Sequence, residues 1–487
     1  MIIEILGAKM LAPFVGTSHF VWTAQIAVTL VALSVGYYVG GRMVDRSPQL
    51  GRLYLLIAAA AAYLCVAVLV IEPVAYWSLQ FRLAIGSLVA SAFLFFIPLC
   101  LLAMVGPFFI RILTEALSSV GGSVGRLTAI STIGSVVGTV LIGYVLIPFL
   151  PNSLTMYFTA ACLLLVSAGY VLIWNRRRLV PLLILLVPGL GLGSVGVAHE
   201  GKKSYERWEE LHRRNSDFGL LQVLQEKEGV ERLYLNDLLV QNTYDTQQKK
   251  SMSMFTYMLQ GLAHAYKPSI GEVLCIGLGV GIVPRGFAEE GVKVDVIEIN
   301  PAVVPIAERF FDLDRSKISI SIGDGRYFVN KAPNSRYDAI ILDAFLGDSC
   351  PSHLMTQEAF RSMRRILKPE GVLVINTFSD VDPRNDFFAA SLFKTLSSAF
   401  ASVRIHNAGD GGNTFFVASA NTNLVLAAID FSGVHSAAAN RVRGAMAGLR
   451  ETDPAHGRVL TDDFNPVEFY DAHNRERVRK DLVHMLD

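Results

Sequence analysis

Carboxylates and glycines at the ends of predicted strands are the residues of this chain best suited to chemistry. The run Val273-Leu-Cys-Ile-Gly-Leu-Gly-Val-Gly281 is typical of a buried strand that ends in a glycine-rich turn. Glu298 ends the next apolar run, nineteen residues after Gly279. Glycines let the backbone approach a ligand closely, and a carboxylate at this spacing can bind both hydroxyls of a ribose. The pattern therefore predicts a nucleoside site that includes Gly277, Gly279, Gly281 and Glu298.

Two further carboxylates follow later strands of the same series. Gly323-Asp-Gly325 comes after the third predicted strand, where Asp324 can accept a hydrogen bond from an adenine amino group. Asp343 ends the fourth strand, in Tyr337-Asp-Ala-Ile-Ile-Leu-Asp343. A carboxylate at that position points into the cleft above the sheet.

The elements that must position these residues alternate between strand and helix from residue 272 to residue 399. Such alternation predicts a doubly wound α/β domain, closed by antiparallel strands near 402–406 and 413–418. Ligands of such sheets bind at the carboxyl ends of the strands, where all of these polar residues lie. Strand-like runs at 220–225 and 231–240 predict a small β element in front of it.

The first 200 residues have a different composition from the rest. Apolar runs at 18–45, 52–72, 83–110, 126–150, 153–174 and 179–197 are long enough, or nearly so, to cross a bilayer, and 1–16 is a further span or half-span. We therefore expect about seven spans in an α-helical membrane bundle. The predicted boundaries are 1–198 for the bundle, 199–217 for a linker, 218–246 for the small β element and 247–487 for the nucleoside-binding domain.

Charge is distributed unevenly between the two halves. Residues 1–200 contain 10 Lys and Arg against 5 Asp and Glu, whereas residues 201–487 contain 33 against 37. The acidic second half argues against nucleic acid as a partner. The five cysteines have no disulfide or zinc spacing, so we expect no metal.

Six phrases resemble, in order and spacing, motifs of the spermidine synthase family of aminopropyltransferases: residues 233–241, 273–281, 296–301, 323–325, 337–343 and 367–371. The resemblance covers about residues 218–420. The whole chain resembles a bacterial variant fused to an N-terminal multi-span membrane domain, and Leu460-Thr-Asp-Asp-Phe-Asn-Pro466 resembles the tail of that variant. The resemblance implies a Rossmann-like fold, as in class I S-adenosylmethionine methyltransferases. It also implies decarboxylated S-adenosylmethionine or S-adenosylmethionine as the co-substrate.

The resemblance also implies roles by position. Glu298 would hold the ribose and Asp324 the adenine, while Gln241 would line the active site and Tyr257 would face the amine. Asp343 would be the base that removes a proton from the attacking amine. The glycine turns would surround the nucleoside: Gly277, Gly279, Gly281 and Gly325.

Two positions depart from the family pattern. Val280 and Leu346 stand where the family has aspartates that bind the amine substrate. A dicationic substrate would then leave buried ammonium groups unpaired, at a cost of several kcal/mol. Asp348 and His353 can partly replace the missing carboxylates, although His353 is equally well explained as a structural hydrogen-bonding residue.

Three functions remain open at this point. The first is a membrane-bound transferase in which an amine attacks the sulfonium co-substrate and methylthioadenosine is released. The second is an S-adenosylmethionine-dependent methyltransferase, alkyltransferase or lyase with a membrane-associated substrate. Val280 favours it, because an aspartate there would repel the carboxylate of the co-substrate. The third is a non-catalytic sensor of nucleosides or polyamines. The expected partners are a small-molecule amine or a membrane-associated acceptor, and the lipid bilayer, with a homodimer as one way to pack the spans.

The side of the membrane is the last question that the sequence poses. We expect a multi-pass protein of the bacterial inner membrane whose basic loops face the cytoplasm. These loops carry Arg42, Arg46 and Arg52, then Arg111 and Arg126, then Arg176, Arg177 and Arg178. Seven full spans would put the second half outside, whereas an adenosine co-substrate requires the cytoplasm. Pro188 and the glycines after it predict an irregular last segment, 179–197, that returns the chain to the cytoplasm.

Overall fold

The protein, described as a computed structural model, consists of two compact units, Met1–Ser204 and Tyr205–Asp487. The structure describes residues 1–16, 18–114, 120–199, 205–345, 351–407, 412–466, 472 and 475–477. Each unit has its own core, and the two are described separately below.

The first unit is helical throughout its described residues. Its helices are α1 (Ile2–Val15), α2 (His19–Arg46), α3 (Leu50–Ser78), α4 (Leu83–Ser91), α5 (Ile97–Ala103), α6 (Val105–Leu113), α7 (Val120–Leu141), α8 (Ile147–Phe149), α9 (Asn152–Trp174) and α10 (Leu179–His199). Two π-helical turns, Ala92–Phe96 and Ile142–Leu146, continue α4 into α5 and α7 into α8. Within the described ranges, six continuous stretches are long and apolar enough to cross a membrane. Helix α1 has 14 residues, fewer than the roughly 20 that a full span needs.

Helix α10 corrects the expected irregularity of the last apolar segment. It runs without interruption through 21 residues and contains Pro188 in its interior. A proline inside a helix removes one backbone hydrogen bond. Membrane-spanning helices tolerate proline and glycine because neighbouring helices and local adjustments of the backbone satisfy the freed groups.

The second unit begins with a five-stranded antiparallel sheet in the order β1-β2-β3-β4-β5. Its strands are β1 (Trp208–Ser216), β2 (Gly219–Glu226), β3 (Glu231–Asn236), β4 (Leu239–Asp245) and β5 (Lys250–Ser251). Strand β1 occupies residues that we expected to be a linker. Trp208 is buried with Leu224, Leu233 and Leu235, and the charged residues of β1 lie on an edge strand. A strand with many charged residues looks polar in sequence, which explains why we wrongly predicted a linker at this place.

The main sheet has eight strands in the order β13-β11-β12-β10-β9-β6-β7-β8. They are β6 (Glu272–Ile276), β7 (Lys293–Glu298), β8 (Ser319–Ile322), β9 (Tyr337–Leu342), β10 (Leu367–Thr377), β11 (Ser402–Asn407), β12 (Thr414–Ser419) and β13 (Leu449–Arg450). Strands β6 to β10 are parallel, and β12 and β11 close the sheet antiparallel. The expected doubly wound α/β fold is thus confirmed.

The described residues of this unit include the helices α11 (Met254–Tyr266), α12 (Ile282–Glu289), α13 (Val303–Phe310), α14 (Gly325–Lys331), α15 (Gln357–Ile366), α16 (Phe387–Ser397) and α17 (Ser436–Ala447). Apolar side chains cover both faces of the sheet in two buried clusters. Helix α17 lies beyond the part of the chain for which we predicted elements.

The strand order reverses between β6 and β9, which are hydrogen-bonded neighbours in the centre of the sheet. Backbone bonds join the ends of three strands there: Gly277 donates to Ile297 O at 2.8 Å, and Asp343 donates to Ile276 O at 3.0 Å. A crevice at such a reversal is the usual ligand site of an open α/β sheet.

Candidate active site

A cavity of about 610 Å³ opens at the carboxyl ends of β6, β7 and β9. Most of the residues predicted to form the site line it: Gln241, Gly277, Gly279, Glu298, Asp324, Gly325, Asp343 and His353. Gly277, Glu298 and Asp343 lie there as the strand-end argument expected, since each parallel strand delivers its last residues to the same edge of the sheet.

Asp343 follows β9 and presents its carboxylate to the cavity. Burial raises the pKa of Asp343 to about 6, although the side-chain amide of Asn376 opposes that rise by donating to Oδ1 at 2.9 Å. Asn376 in turn accepts a hydrogen bond from the amide of Asn413 at 2.9 Å. This carboxylate is therefore poised to accept a proton near neutral pH.

The glycine turn brings the backbone of β6 close to Asp343. Gly277 has a φ of 97°, and a side chain there would collide with the carbonyl oxygen of Asp343. Gly279 has a φ of 54°, and a Cβ built on it would meet no atom within 4 Å. The turn thus leaves open space at Gly279, where a ligand can approach the backbone.

Glu298 ends β7 and is 8% exposed. Its two oxygens accept backbone hydrogen bonds, Oε2 from Leu278 N at 2.9 Å and Oε1 from Asn300 N at 2.7 Å. Burial raises the pKa of Glu298, while these backbone donors act in the opposite direction. The carboxylate is therefore fixed against the glycine turn, and each oxygen keeps acceptor capacity for a ligand in the cavity.

Asp324 and His353 form a pair, although we had expected them to act on different parts of the substrates. Asp324 caps α14 by accepting from Tyr327 N at 2.8 Å, and its Oδ2 lies 2.9 Å from His353 Nε2. Burial raises the pKa of Asp324, but the Tyr327 amide and the His353 ring outweigh that effect and lower it. The pair lines the cavity beside Gly325.

Two predicted site residues lie elsewhere in the described part of the chain, and one lies outside it. Tyr257 is not among the described residues that line the cavity, because its hydroxyl donates to Ser251 O at 2.7 Å and accepts from His435 N at 3.3 Å. Gly281 caps the start of α12 with a φ of 82°, behind the turn. Asp348 lies outside the described residues, as does Leu346.

Some lining residues escaped the sequence argument. Asn376 ends β10, so the strand-end rule extended to the fifth parallel strand would have found it. Phe345 and Phe378, whose ring centroids are 5.0 Å apart, add an apolar wall. Arg441 of α17 also lines the cavity, and no local pattern in the sequence marked it. Val280 lines it too and is 2% exposed.

Part of the second unit is similar in sequence to known proteins. Residues 252–406 match the family model of the spermine/spermidine synthase domain. Over 204 residues the chain is 35% identical to the polyamine aminopropyltransferase of Vibrio vulnificus, which covers 41% of this chain and 64% of that protein. Over 138 residues it is 33% identical to the N-terminal histidine N-methyltransferase of Emericella nidulans, covering 28% of this chain and 24% of that protein.

Among solved structures, the chain is similar to a probable spermidine synthase from Corynebacterium glutamicum. The sequence identity is 17% and the TM-score is 0.41, over 53% of this chain and 96% of that one. The chain spans less than two thirds of the length of the two curated relatives named above.

Proposed function

We propose, from the match of residues 252–406 to the spermine/spermidine synthase domain, that the protein is a spermidine synthase-like transferase. In the proposed reaction an amine attacks the carbon next to the sulfonium of decarboxylated S-adenosylmethionine. The observation that carries the proposal is the carboxylate of Asp343, whose pKa of about 6 suits a base, in the lining of a cavity of about 610 Å³.

The chemistry asked of the protein is modest. The nitrogen lone pair forms a new bond to carbon, the carbon–sulfur bond breaks, and its electron pair stays on sulfur to give neutral methylthioadenosine. The nitrogen loses a proton, which Asp343 accepts and later releases to solvent. Because the sulfonium is already a good leaving group, positioning and proton removal supply most of the remaining rate.

The nucleoside is held by groups that are already fixed. Glu298 binds the ribose hydroxyls, the open backbone at Gly279 lies against the nucleoside, and Asp324 with His353 binds the adenine end. Each carboxylate is held by backbone donors before the ligand arrives, which reduces the ordering cost of binding.

The product of the reaction tests this function. The purified full chain is offered decarboxylated S-adenosylmethionine or S-adenosylmethionine, with and without putrescine, and mass spectrometry identifies the nucleoside formed. We expect methylthioadenosine, formed only when both the decarboxylated co-substrate and an amine are present. S-adenosylhomocysteine from the intact co-substrate would replace this proposal by methyl transfer. Binding without any product under all conditions would replace it by a sensor.

Val280 is the observation that favours a second candidate, a transferase or lyase that uses intact S-adenosylmethionine. The family pattern has an aspartate at this position. Val280 carries no charge, so it does not repel the carboxylate of intact S-adenosylmethionine in the cavity. Methylthioadenosine formed from the intact co-substrate would identify this alternative.

The acid limb of the pH profile should follow Asp343. Because the base acts in its ionised form, kcat/KM should fall as the pH drops through about 6, where Asp343 becomes protonated. Replacing Asn376 by alanine removes the hydrogen bond that lowers this pKa, so the acid limb should move to higher pH. Initial rates between pH 5 and pH 9 measure the acid limb of the unchanged protein and its shift in Asn376→Ala.

Asn413→Ala is the matched control for this shift. It removes an amide that contacts Asn376 but leaves the direct bond from Asn376 to Asp343, so its acid limb should move less. An identical limb in the unchanged protein and in Asn376→Ala would show that another group controls the profile.

We further propose that the first unit spans the bacterial inner membrane and that the second unit lies in the cytoplasm, where the adenosine co-substrate is made. The six long apolar stretches support the membrane part. The basic loops favour the opposite side for the second unit. If those loops face the cytoplasm, the continuous helix α10 crosses the membrane once more and the second unit lies outside. Labelling of a cysteine introduced at exposed Asp314, by an impermeant reagent on intact cells, decides this: protection supports the cytoplasm and labelling contradicts it. Homodimerisation stays a prediction.

A further inference from the structure

Residues 452–466 follow the matched domain in sequence and run along α16 in its fold. Their backbone and side chains bind three residues of that helix or its cap: Asp386 with His456 at 2.9 Å, Ser391 with Arg458 N at 3.0 Å, and Thr395 with Leu460 N at 2.9 Å. Leu460 is completely buried. The segment is therefore a fixed part of the second unit, anchored at regular intervals.

Beyond Leu460 the same segment reaches the start of α15. Gln357 N donates to Leu460 O at 2.8 Å, and Asp462 N donates to Glu358 Oε2 at 3.1 Å. The hydroxyl of Thr356, which caps α15, donates to Asp462 Oδ1 at 2.6 Å. The motif that the sequence marked at 460–466 thus contacts the residues that precede and begin α15.

Arg326 connects Asp462 to the cavity wall. Its Nη2 donates to Asp462 Oδ2 at 3.0 Å, while its Nη1 donates to His353 O at 3.2 Å and to Thr356 Oγ1 at 3.0 Å. The Arg326 side chain is 16% exposed. His353 lies in turn against Asp324, at 2.9 Å. Asp462 lies outside the cavity lining. Through its bonds to Arg326 and Thr356 it therefore fixes the segment that carries His353.

We propose that Asp462 is a positioning residue for the adenine end of the cavity. This positioning role rests on the proposed function in one respect, because it assumes that the cavity binds an adenine nucleoside. Both oxygens of Asp462 accept from different donors, and only a carboxylate offers two acceptors at once. An asparagine would present an amide donor to either Arg326 or Thr356, and the segment 351–356 would then lose one of its anchors.

Asp462→Asn tests the proposal in the full chain in detergent. Asp463→Asn is the control because that neighbouring carboxylate is exposed, as Asp462 is, but forms no hydrogen bond to Arg326 or Thr356 within the described residues. Hydrogen exchange of the backbone amides of 352–357 should be faster in Asp462→Asn and unchanged in the control. Binding of methylthioadenosine, measured by calorimetry, should weaken about tenfold, which is the effect of losing one charge-assisted hydrogen bond. The control should bind as the unchanged protein does.

Two measurements separate positioning from a loss of general stability. Methylthioinosine has a carbonyl in place of the adenine amino group, so Asp462→Asn should weaken its binding less than that of methylthioadenosine. In an Arg326→Gln background, Asp462→Asn should add little further loss, because coupled residues are not additive. Equal losses for both nucleosides, fully additive losses, or binding equal to the control would each overturn the proposal.

Hydrogen exchange and nucleoside binding can both be measured without turnover. The proposed reaction and the positioning role of Asp462 therefore fail in different ways. If no transfer product forms but Asp462→Asn loses affinity and exchange protection, the positioning role stands and the proposed reaction is wrong. If the unchanged protein transfers an alkyl group but Asp462→Asn behaves as the control, the reaction stands and the positioning role is wrong. An unchanged protein that binds no methylthioadenosine would overturn the positioning role.

Discussion

Replacing Asp343 by asparagine should lower kcat by roughly 10²–10⁴-fold, while methylthioadenosine still binds with nearly unchanged affinity. The amide has the shape of the carboxylate, and its oxygen can still accept the hydrogen bond from Asn376. The amide oxygen is far less basic than a carboxylate oxygen, so the attacking amine would lose its proton directly to solvent. The loss should therefore fall on kcat and leave the nucleoside contacts intact.

Asp338→Asn is the matched control because it makes the same substitution on β9, the strand that Asp343 follows. Asp338 accepts from Lys368 Nζ at 2.8 Å and from Gly271 N at 2.9 Å, and it does not line the cavity within the described part of the chain. We expect near-normal kcat in the folded fraction of this variant. Initial rates and calorimetric binding on both proteins make the comparison. A kcat for Asp343→Asn within about threefold of normal would remove Asp343 as the base, since general bases contribute far more than that.

Glu298→Gln should weaken the binding of methylthioadenosine roughly 10- to 100-fold, the expected result of losing hydrogen bonds to a charged acceptor. The backbone donors Leu278 N and Asn300 N already occupy one site on each oxygen. A glutamine can keep only one of these backbone bonds with its oxygen, and its amide group faces the other donor. The variant therefore loses both the charge and one of the acceptors offered to the ribose.

A ribose-modified ligand shows whether the lost affinity concerns the hydroxyls. The 2′-deoxy analogue of methylthioadenosine should bind the unchanged protein more weakly, and Glu298→Gln should reduce its affinity by less than it reduces that of the parent nucleoside. Glu308→Gln, on the exposed side of α13, is the control and should have no effect. Equal losses for both ligands would mean that Glu298 acts on the fold of the turn and not on the ribose.

Much of the fold could be predicted because strands and helices of the second unit follow strong local patterns. Apolar runs ending in Gly277, Glu298 and Asp343 matched β6, β7 and β9 closely, since buried parallel strands are short and continuously apolar. Strand β1 was missed because an edge strand exposes one face and carries charge. Helix α10 was misjudged because Pro188 disrupts a helix in water far more than one in apolar surroundings.

The sequence alone determined which residues lie at the carboxyl ends of the strands, and so which carboxylates share one edge of the sheet. That knowledge is local, because the end of each strand is encoded in a few neighbouring residues. Only the tertiary structure decided how those residues are paired: Asp324 with His353, Asp343 with Asn376, and Tyr257 turned toward Ser251. Such contacts depend on side-chain direction and on segments far apart in sequence. The link from Asp462 to Arg326 joins residues 136 positions apart, and no local pattern encodes a contact at that distance.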